Sequence, residues 1–143
     1  MIVSATTRDL QDILRLLETC GLPTADLSPA LLEGFLVQRQ AGGLQGVVGL
    51  QIFERVGMLR SLAVLAERRG RGWGEQLTQQ AEELARKRGV GELYLLTTTA
   101  EGFFTRLGYQ AIAREQAPLA IQNSAEFQSL CPASAVLMRK NLF

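Results

Sequence analysis

The chain predicts an α+β, or mixed α/β, layer fold. Two observations carry that class. Strand patterns over 34–65 follow one another through tight turns, as in an antiparallel meander. Beyond residue 73, helical and strand patterns alternate, as they do where helices cover a sheet that is partly parallel. The element order is βα(α)βββαβαβαβ, and its packing solution is a central mixed, twisted sheet with helices on both faces. At 143 residues the chain is read as one domain over 1–143, long enough for a core without staples.

Each element has a local signature. Residues 2–5 form a short edge strand. Thr6 with Asp9 three positions on resembles a capping box, and Leu10, Ile13, Leu14, Leu17 and Cys20 follow helical spacing until Gly21 and Pro23 stop the helix. Residues 22–32 hold a loop or a second short helix. Strands follow at 35–37, 44–53 and 58–65, with turns at Ala41-Gly42-Gly43 and Arg55-Val56-Gly57. Residues 74–88 put Leu77, Ala81, Leu84 and Ala85 on one helix face, and Gly89 ends it. Glu92-Leu93-Tyr94-Leu95-Leu96 is a buried, central strand parallel to 58–65. A short helix over 100–107, a strand over 109–113, a helical stretch over 118–130 and a last strand over 135–138 complete the chain.

Composition excludes several function classes. Hydrophobic residues make up 47% and charged residues 20%, which is globular and not disordered. A net charge of +1 gives no field to hold nucleic acid or a membrane surface, so neither is an expected partner. Cys20 and Cys131 form neither a disulfide framework nor a zinc spacing. Met1-Ile2-Val3-Ser4 lacks the charge and apolar run of a signal peptide, and no apolar run approaches a membrane span. A cytoplasmic protein is expected. The absence of histidine removes the commonest general base and metal ligand, and no metal site is expected.

The segment Leu62-Ala63-Val64-Leu65-Ala66-Glu67-Arg68-Arg69-Gly70-Arg71-Gly72-Trp73-Gly74 reads as a strand, a turn, and a glycine- and arginine-rich loop that opens a helix. Alternate glycines bare the backbone. The first amides of a helix lack intrahelical partners and carry the positive end of its dipole, so this is an anion site. Flanking arginines add charge and forked donors. Glu75-Gln76 stand where a nucleoside-triphosphate loop needs Lys-Ser/Thr, and G-x-G-x-G after a meander is not a dinucleotide fingerprint. Single-stranded nucleic acid fits poorly with a near-neutral chain. A tight helix start with solvated arginines is the plain structural alternative.

Arg69-Gly70-Arg71-Gly72-Trp73-Gly74 resembles the R/Q-x-x-G-x-G/A loop of the GNAT acyltransferase superfamily, with Leu62-Ala63-Val64 at the usual distance before it. Phe103-Phe104-Thr105-Arg106-Leu107-Gly108-Tyr109 resembles the F-Y-x-x-x-G-F/Y segment of that family, and the two motifs occur in its order. The stretch from Leu93 to Phe104 is similar to N-acetylglutamate synthase catalytic domains. Cys131-Pro132-Ala133-Ser134-Ala135-Val136-Leu137-Met138 is similar to GNAT proteins associated with arsenic-resistance operons.

The resemblance implies a GNAT acyl-CoA N-acyltransferase fold and an N-acetyltransferase that moves an acetyl group from acetyl-CoA to a small-molecule amine, an amino acid or amino-acid-like compound among the options. It implies that the amides of Gly70, Arg71, Gly72, Trp73 and Gly74 hold the pyrophosphate, with Arg69 also in the cofactor site. It further implies that the backbone of Leu62, Ala63 and Val64 pairs with pantetheine like an added strand, with Thr97 and Phe103 beside it. Strands four and five, 58–65 and 92–96, splay into a wedge for the thioester, where the Val64 amide is the expected oxyanion donor. Other implied readings are a catalytically silent acyl-CoA sensor and a protein N-terminal acetyltransferase. A homodimer paired through the final strand is also compatible.

The chain departs from that family at its acid–base positions. The tyrosine that protonates the departing thiolate falls at Phe104, so water or another hydroxyl does this, or activity is lost. Tyr109 belongs to the core by position, and Thr is a poor acid. CoA is a tolerable leaving group, with a thiol pKa of about 8.5. Met58 stands where some members carry a glutamate, which leaves Glu54 as the best base candidate and Glu101 as a weaker one; each is equally a solvated or helix-capping carboxylate. Arg60 lies in an apolar strand and by alternation shares a face with Leu62 and Val64, or faces the wedge if the strand bulges. Its fork suits a substrate carboxylate, with a structural ion pair as the alternative. Ser134 and Arg114 are further pocket candidates; Ile121 and Phe127 read as packing.

Overall fold

A computed structural model describes residues 1–143, the side chain of Leu130 excepted. A seven-stranded sheet runs in the order β1-β2-β3-β4-β5-β7-β6. Its strands are β1 (Ile2–Ser4), β2 (Phe35–Gln40), β3 (Gly43–Phe53), β4 (Val56–Val64), β5 (Glu92–Thr97), β6 (Gln110–Ile112) and β7 (Val136–Asn141). The helices are α1 (Leu10–Thr19), α2 (Trp73–Lys87), α3 (Glu101–Arg106) and α4 (Leu119–Gln122). β2 to β4 form the expected antiparallel meander, β1 pairs antiparallel with β2 as the expected edge strand, and β5 joins β4 in parallel. The sheet is therefore mixed.

Strand alternation sends neighbouring residues to opposite faces. Leu36, Val48, Leu50, Leu59, Leu93, Leu95 and Met138 pack with Leu77, Ala81 and Ala85 of α2. Phe35, Val37, Val47 and Ala63 pack with Ile13, Leu16 and Leu17 of α1, and Met58, Tyr94 and Leu137 pack with Ile121 of α4. Helices thus cover both faces. The Thr6 amide donates to Asp9 Oδ2 at 2.8 Å, the capping interaction read from the sequence, although a 3-10 turn precedes α1 proper.

Three local expectations are corrected. The turn between β3 and β4 is tighter than Arg55-Val56-Gly57, with Glu54 at φ 60 and Val56 already paired to Phe53. Residues 118–130 do not form one helix: α4 has four residues, and a separate π-helical turn spans Glu126–Leu130. The final strand is not an edge, because β7 pairs with β5 on one side and β6 on the other; β1 and β6 are the edges. Leu137 and Met138 are adjacent and both buried, so β7 is covered on both faces, while backbone pairing to a second neighbour leaves no mark in the side-chain pattern.

Candidate active site

β4 and β5 pair only at their starts, through Val56–Glu92, Gly57–Leu93 and Met58–Tyr94. Past Met58 the strands separate. One cause lies in β4 itself. Val47 pairs with Ala63 and Gly49 with Arg60, so β4 carries one extra residue there, and Ser61 takes φ 56. A bulge of this kind bends a strand and reverses the facing of the residues beyond it. The strand thus takes the bulged alternative, in which Arg60 borders the gap between β4 and β5 and does not share the face of Leu62 and Val64. Met58, Arg60 and Ala63 lie on the α1/α4 side, while Leu59, Leu62 and Val64 lie on the α2 side.

The gap opens into two adjoining cavities. The first, about 670 Å³, lies between the separated strands and has Thr97, Thr98 and Thr99 on one side and Gly21 to Ala25 on another. The second, about 720 Å³, runs along Ala63 and Val64 to the glycine loop. Leu22, Leu62, Thr99 and Ala100 border both, so the two cavities adjoin along these residues and together make up the channel.

The loop cavity has the build of an anion cradle. Gly70 and Gly72 take φ of +81 and +79, a left-handed conformation that side chains resist. Gly72 is the N-cap of the 15-residue α2, whose first amides are directed at the cavity mouth without intrahelical partners. A Cβ on Gly74 would come within 3.3 Å of the Phe103 ring, so glycine lets α2 and α3 approach. Arg68 and Arg106 also line this cavity, with the Arg68 guanidinium 5.8 Å from the centre of the Trp73 ring. Arg69 Nε donates to the Val64 carbonyl at 3.1 Å, fixing the loop to the strand. Leu65 N–H donates to Gln45 O at 2.9 Å, which makes 45/65 and 47/63 the bonded pairs and turns the Val64 amide away from β3. Free amides, a helix N-terminus and three arginines suit a pyrophosphate joined to an extended arm.

Most sequence-derived loop residues line this cavity: Leu62, Ala63, Val64, Arg69, Gly70, Gly72, Trp73, Gly74 and Phe103. Arg71 is exposed and outside the lining. Thr97 lines the strand cavity, where its Oγ1 accepts the Ala100 amide at 3.0 Å and so shapes the turn into α3. Glu54 is exposed at the β3–β4 turn, the opposite end of β4 from the loop, and lines neither cavity. It is not placed to act as a base. Ser134 is exposed and off both linings; Ser129 and Cys131 take its place. Glu101 is likewise exposed and off both linings. Met58 is buried against Tyr94 and Ile121. Arg114 is structural: it donates to the Ala135 carbonyl at 2.9 Å and lies 4.5 Å from the centre of the Phe127 ring.

Neither tyrosine borders the channel. Tyr109 donates to Glu82 at 2.8 Å, and burial, then the Glu82 charge, push its pKa far up. Phe104 does border the strand cavity, edge-on to both Phe103 and Tyr109.

Arg60 is buried among partners. Nε donates to Ser61 Oγ at 3.1 Å, and Nη1 donates to Asp26 Oδ2 at 2.5 Å and Gln51 Oε1 at 3.1 Å. Nη2 donates to Asp26 Oδ1 at 2.7 Å and lies 3.2 Å from Glu126 Oε1. The Arg60 hydrogen bond holds the Asp26 carboxyl below its usual range, against the opposing effect of burial. Cys131 donates to Glu126 Oε2 at 2.7 Å, and burial, then Glu126, push its thiol up to about 12. Sequence reasoning missed Asp26 and Glu126. An arginine inside an apolar strand signals that acidic partners exist, but nothing local names acids so distant in the chain.

Comparison with known proteins agrees with this geometry. The family model for an acetyltransferase (GNAT) domain matches residues 32–111. An uncharacterised N-acetyltransferase of Chlorobaculum tepidum is 35% identical over 88 residues, covering 61% of this chain and 56% of that protein. An amino-acid acetyltransferase of Pseudomonas aeruginosa is 38% identical over 72 residues, covering 50% of this chain but 17% of that protein. The chain thus spans little more than half of the first relative and a small part of the second. In fold, it resembles N-acetylglutamate synthase from Neisseria gonorrhoeae in complex with coenzyme A and N-acetyl-glutamate. That likeness has a TM-score of 0.86 at 22% identity, over 100% of this chain and 35% of that one. A Mycobacterium tuberculosis protein in complex with CoA gives a TM-score of 0.80 at 20% identity, over 100% and 99%. With the splayed strands, the loop and a family model covering more than half its length, the chain belongs to the GNAT acetyltransferase family.

Proposed function

We propose that this chain is an N-acetyltransferase that uses acetyl-CoA to acetylate the amine of a small molecule by direct attack. The observation that carries the reading is that the loop cavity adjoins the cavity between the splayed strands along Leu22, Leu62, Thr99 and Ala100. Bound acetyl-CoA would supply the acetyl group already activated as a thioester.

The chain's own residues then have these tasks. The amides of Gly70, Gly72, Trp73 and Gly74, with Arg68 and Arg69, hold the anionic end. The outward backbone groups of β4 from Leu62 to Val64 hold the arm like an added strand. The Val64 amide, turned away from β3, is the oxyanion donor, and Leu62, which borders both cavities, lies where the arm passes from one to the other. The strand cavity holds the acceptor. Among the described residues, its lining carries hydroxyls and no free carboxylate. The proton on the acceptor ammonium therefore leaves to water, and the departing thiolate takes its proton from water in the absence of a tyrosine at position 104.

The lack of a carboxylate or tyrosine on the lining of the strand cavity, among the described residues, favours one other reading, a silent acyl-CoA sensor. Mass spectrometry of reactions with acetyl-CoA and a panel of amines separates them. N-acetyl product matching free CoA supports transfer; CoA binding without product supports the sensor.

A further inference from the structure

We infer that the acceptor cavity is built for amines that bear no carboxylate, because Asp26 and Glu126 already occupy Arg60. The inference rests on the acetyl-transfer reading above and concerns which amine that reaction takes.

Arg60 is the only charged side chain on the lining of the strand cavity among the described residues. It would be the natural anchor for a substrate carboxylate. A guanidinium has five N–H donors, and here four hydrogen bonds and an ion pair engage all three of its nitrogens. Its side chain is 1% exposed. The fork is also matched bidentately to Asp26, the geometry an incoming carboxylate would need.

Charge gives the same answer. Arg60 brings one positive charge and its partners Asp26 and Glu126 two negative ones; Arg114, whose charge reaches Cys131, lies outside these ion pairs and is held by the Ala135 and Phe127 carbonyls. Glu126 is engaged on both oxygens, by Arg60 and by the Cys131 thiol, and Cys131 faces the cavity. A carboxylate entering beside Arg60 meets two carboxylates already paired to it at short range, where repulsion is weakly screened. A neutral tail, or one bearing a second ammonium, meets hydroxyls and a favourable potential.

The cluster also has a structural role consistent with this one. Through Asp26 it pins the segment 21–26, and through Glu126 the turn 126–131, to β4. Both segments wall the cavity. A substrate carboxylate that displaced Asp26 would release one wall.

The test is calorimetric binding to the CoA-saturated protein of three matched pairs: histamine and histidine, tyramine and tyrosine, agmatine and arginine. The carboxylate-free member is expected to bind at least tenfold more tightly in each pair. Asp26→Asn, which removes one negative charge and loosens the hold on Arg60, is expected to shrink that ratio at least fivefold. Should that variant fail to fold, Glu126→Gln leaves the Asp26 fork in place and is expected to move the ratio the same way. Equal or tighter binding of the amino acids overturns the inference, as does an unchanged ratio in a folded variant or CoA binding with no affinity for any of the six probes. Discrimination as expected, but with no N-acetyl product from any amine, overturns the acetyl-transfer reading and leaves the selectivity of the cavity standing.

Discussion

Phe104 meets Tyr109 edge-on, with ring centroids 5.6 Å apart and planes at 73°, and only Phe104 borders the channel. The hydroxyl of the pair is bonded to buried Glu82 in the core. A proton donor is thus absent from the position where the family resemblance implies one, and this divergence can be tested by restoring it.

Phe104→Tyr places a phenol at the border of the strand cavity. A phenol beside the departing sulfur can give it a proton only while it keeps its own, so the added acid helps most well below the ordinary tyrosine pKa of about 10. The expected result at pH 7 is a rise in kcat of about three- to tenfold, shrinking toward none above about pH 9. Thiol release followed across pH measures it. A uniform effect at all pH values would mean that the new hydroxyl acts otherwise than on the leaving sulfur.

Gly72→Val tests the cradle. At φ +79 a β-branched residue is strained by about 1–2 kcal/mol, and the αL geometry that aims the loop amides is lost. No atom lies within 4 Å of the added Cβ, so the core is not disturbed. CoA affinity is expected to fall at least about tenfold, on the order of 1.4 kcal/mol or more, with an unchanged circular dichroism spectrum. Unchanged affinity by titration calorimetry would remove the loop from the binding site.

Tyr109→Phe tests the opposite role. Its hydrogen bond to a charged partner is buried, and such bonds contribute about 1.5–3 kcal/mol. Denaturant unfolding should show a loss of that order, with CoA affinity retained. The folded pKa of Tyr109 is raised, so its stabilisation is complete below the ordinary tyrosine value of about 10 and is lost as pH rises beyond it. The variant should therefore show a flatter alkaline limb than the parent. A matching limb in both would place the titration elsewhere.

Asp26 governs the acid side. Its folded pKa is lowered by Arg60, so its contribution is present above the ordinary aspartate value and disappears as pH falls through the folded one. Asp26→Asn should be less stable than the parent at pH 7, and the gap should narrow as pH drops below about 4. Thermal unfolding at graded pH checks this; a constant gap would mean that the ion pair adds nothing.

The glycine loop, its helix and the antiparallel meander were legible in the sequence because each depends on neighbouring residues. Gly70, Gly72 and Gly74 mark a backbone need within five positions, and Leu77, Ala81 and Ala85 declare a buried helix face. The acceptor side was not legible in the same way. Arg60 was singled out, but its face depended on a bulge at Ser61 that strand alternation does not encode. Its partners Asp26 and Glu126 come from segments without strong periodicity. Glu54 and Ser134 were chosen for their chemistry and near-site sequence position, and folding carries both out of the channel.

The most direct measurement is the rate of thiol release from acetyl-CoA as a function of amine concentration, with the N-acetyl product counted in parallel. Saturable, amine-dependent release, one product per thiol, is the expected result, with a rate that climbs with pH as the acceptor's own ammonium loses its proton. CoA binding accompanied by no amine-dependent release, across acceptors with and without carboxylates, would contradict acetyl transfer and leave a binding protein in its place.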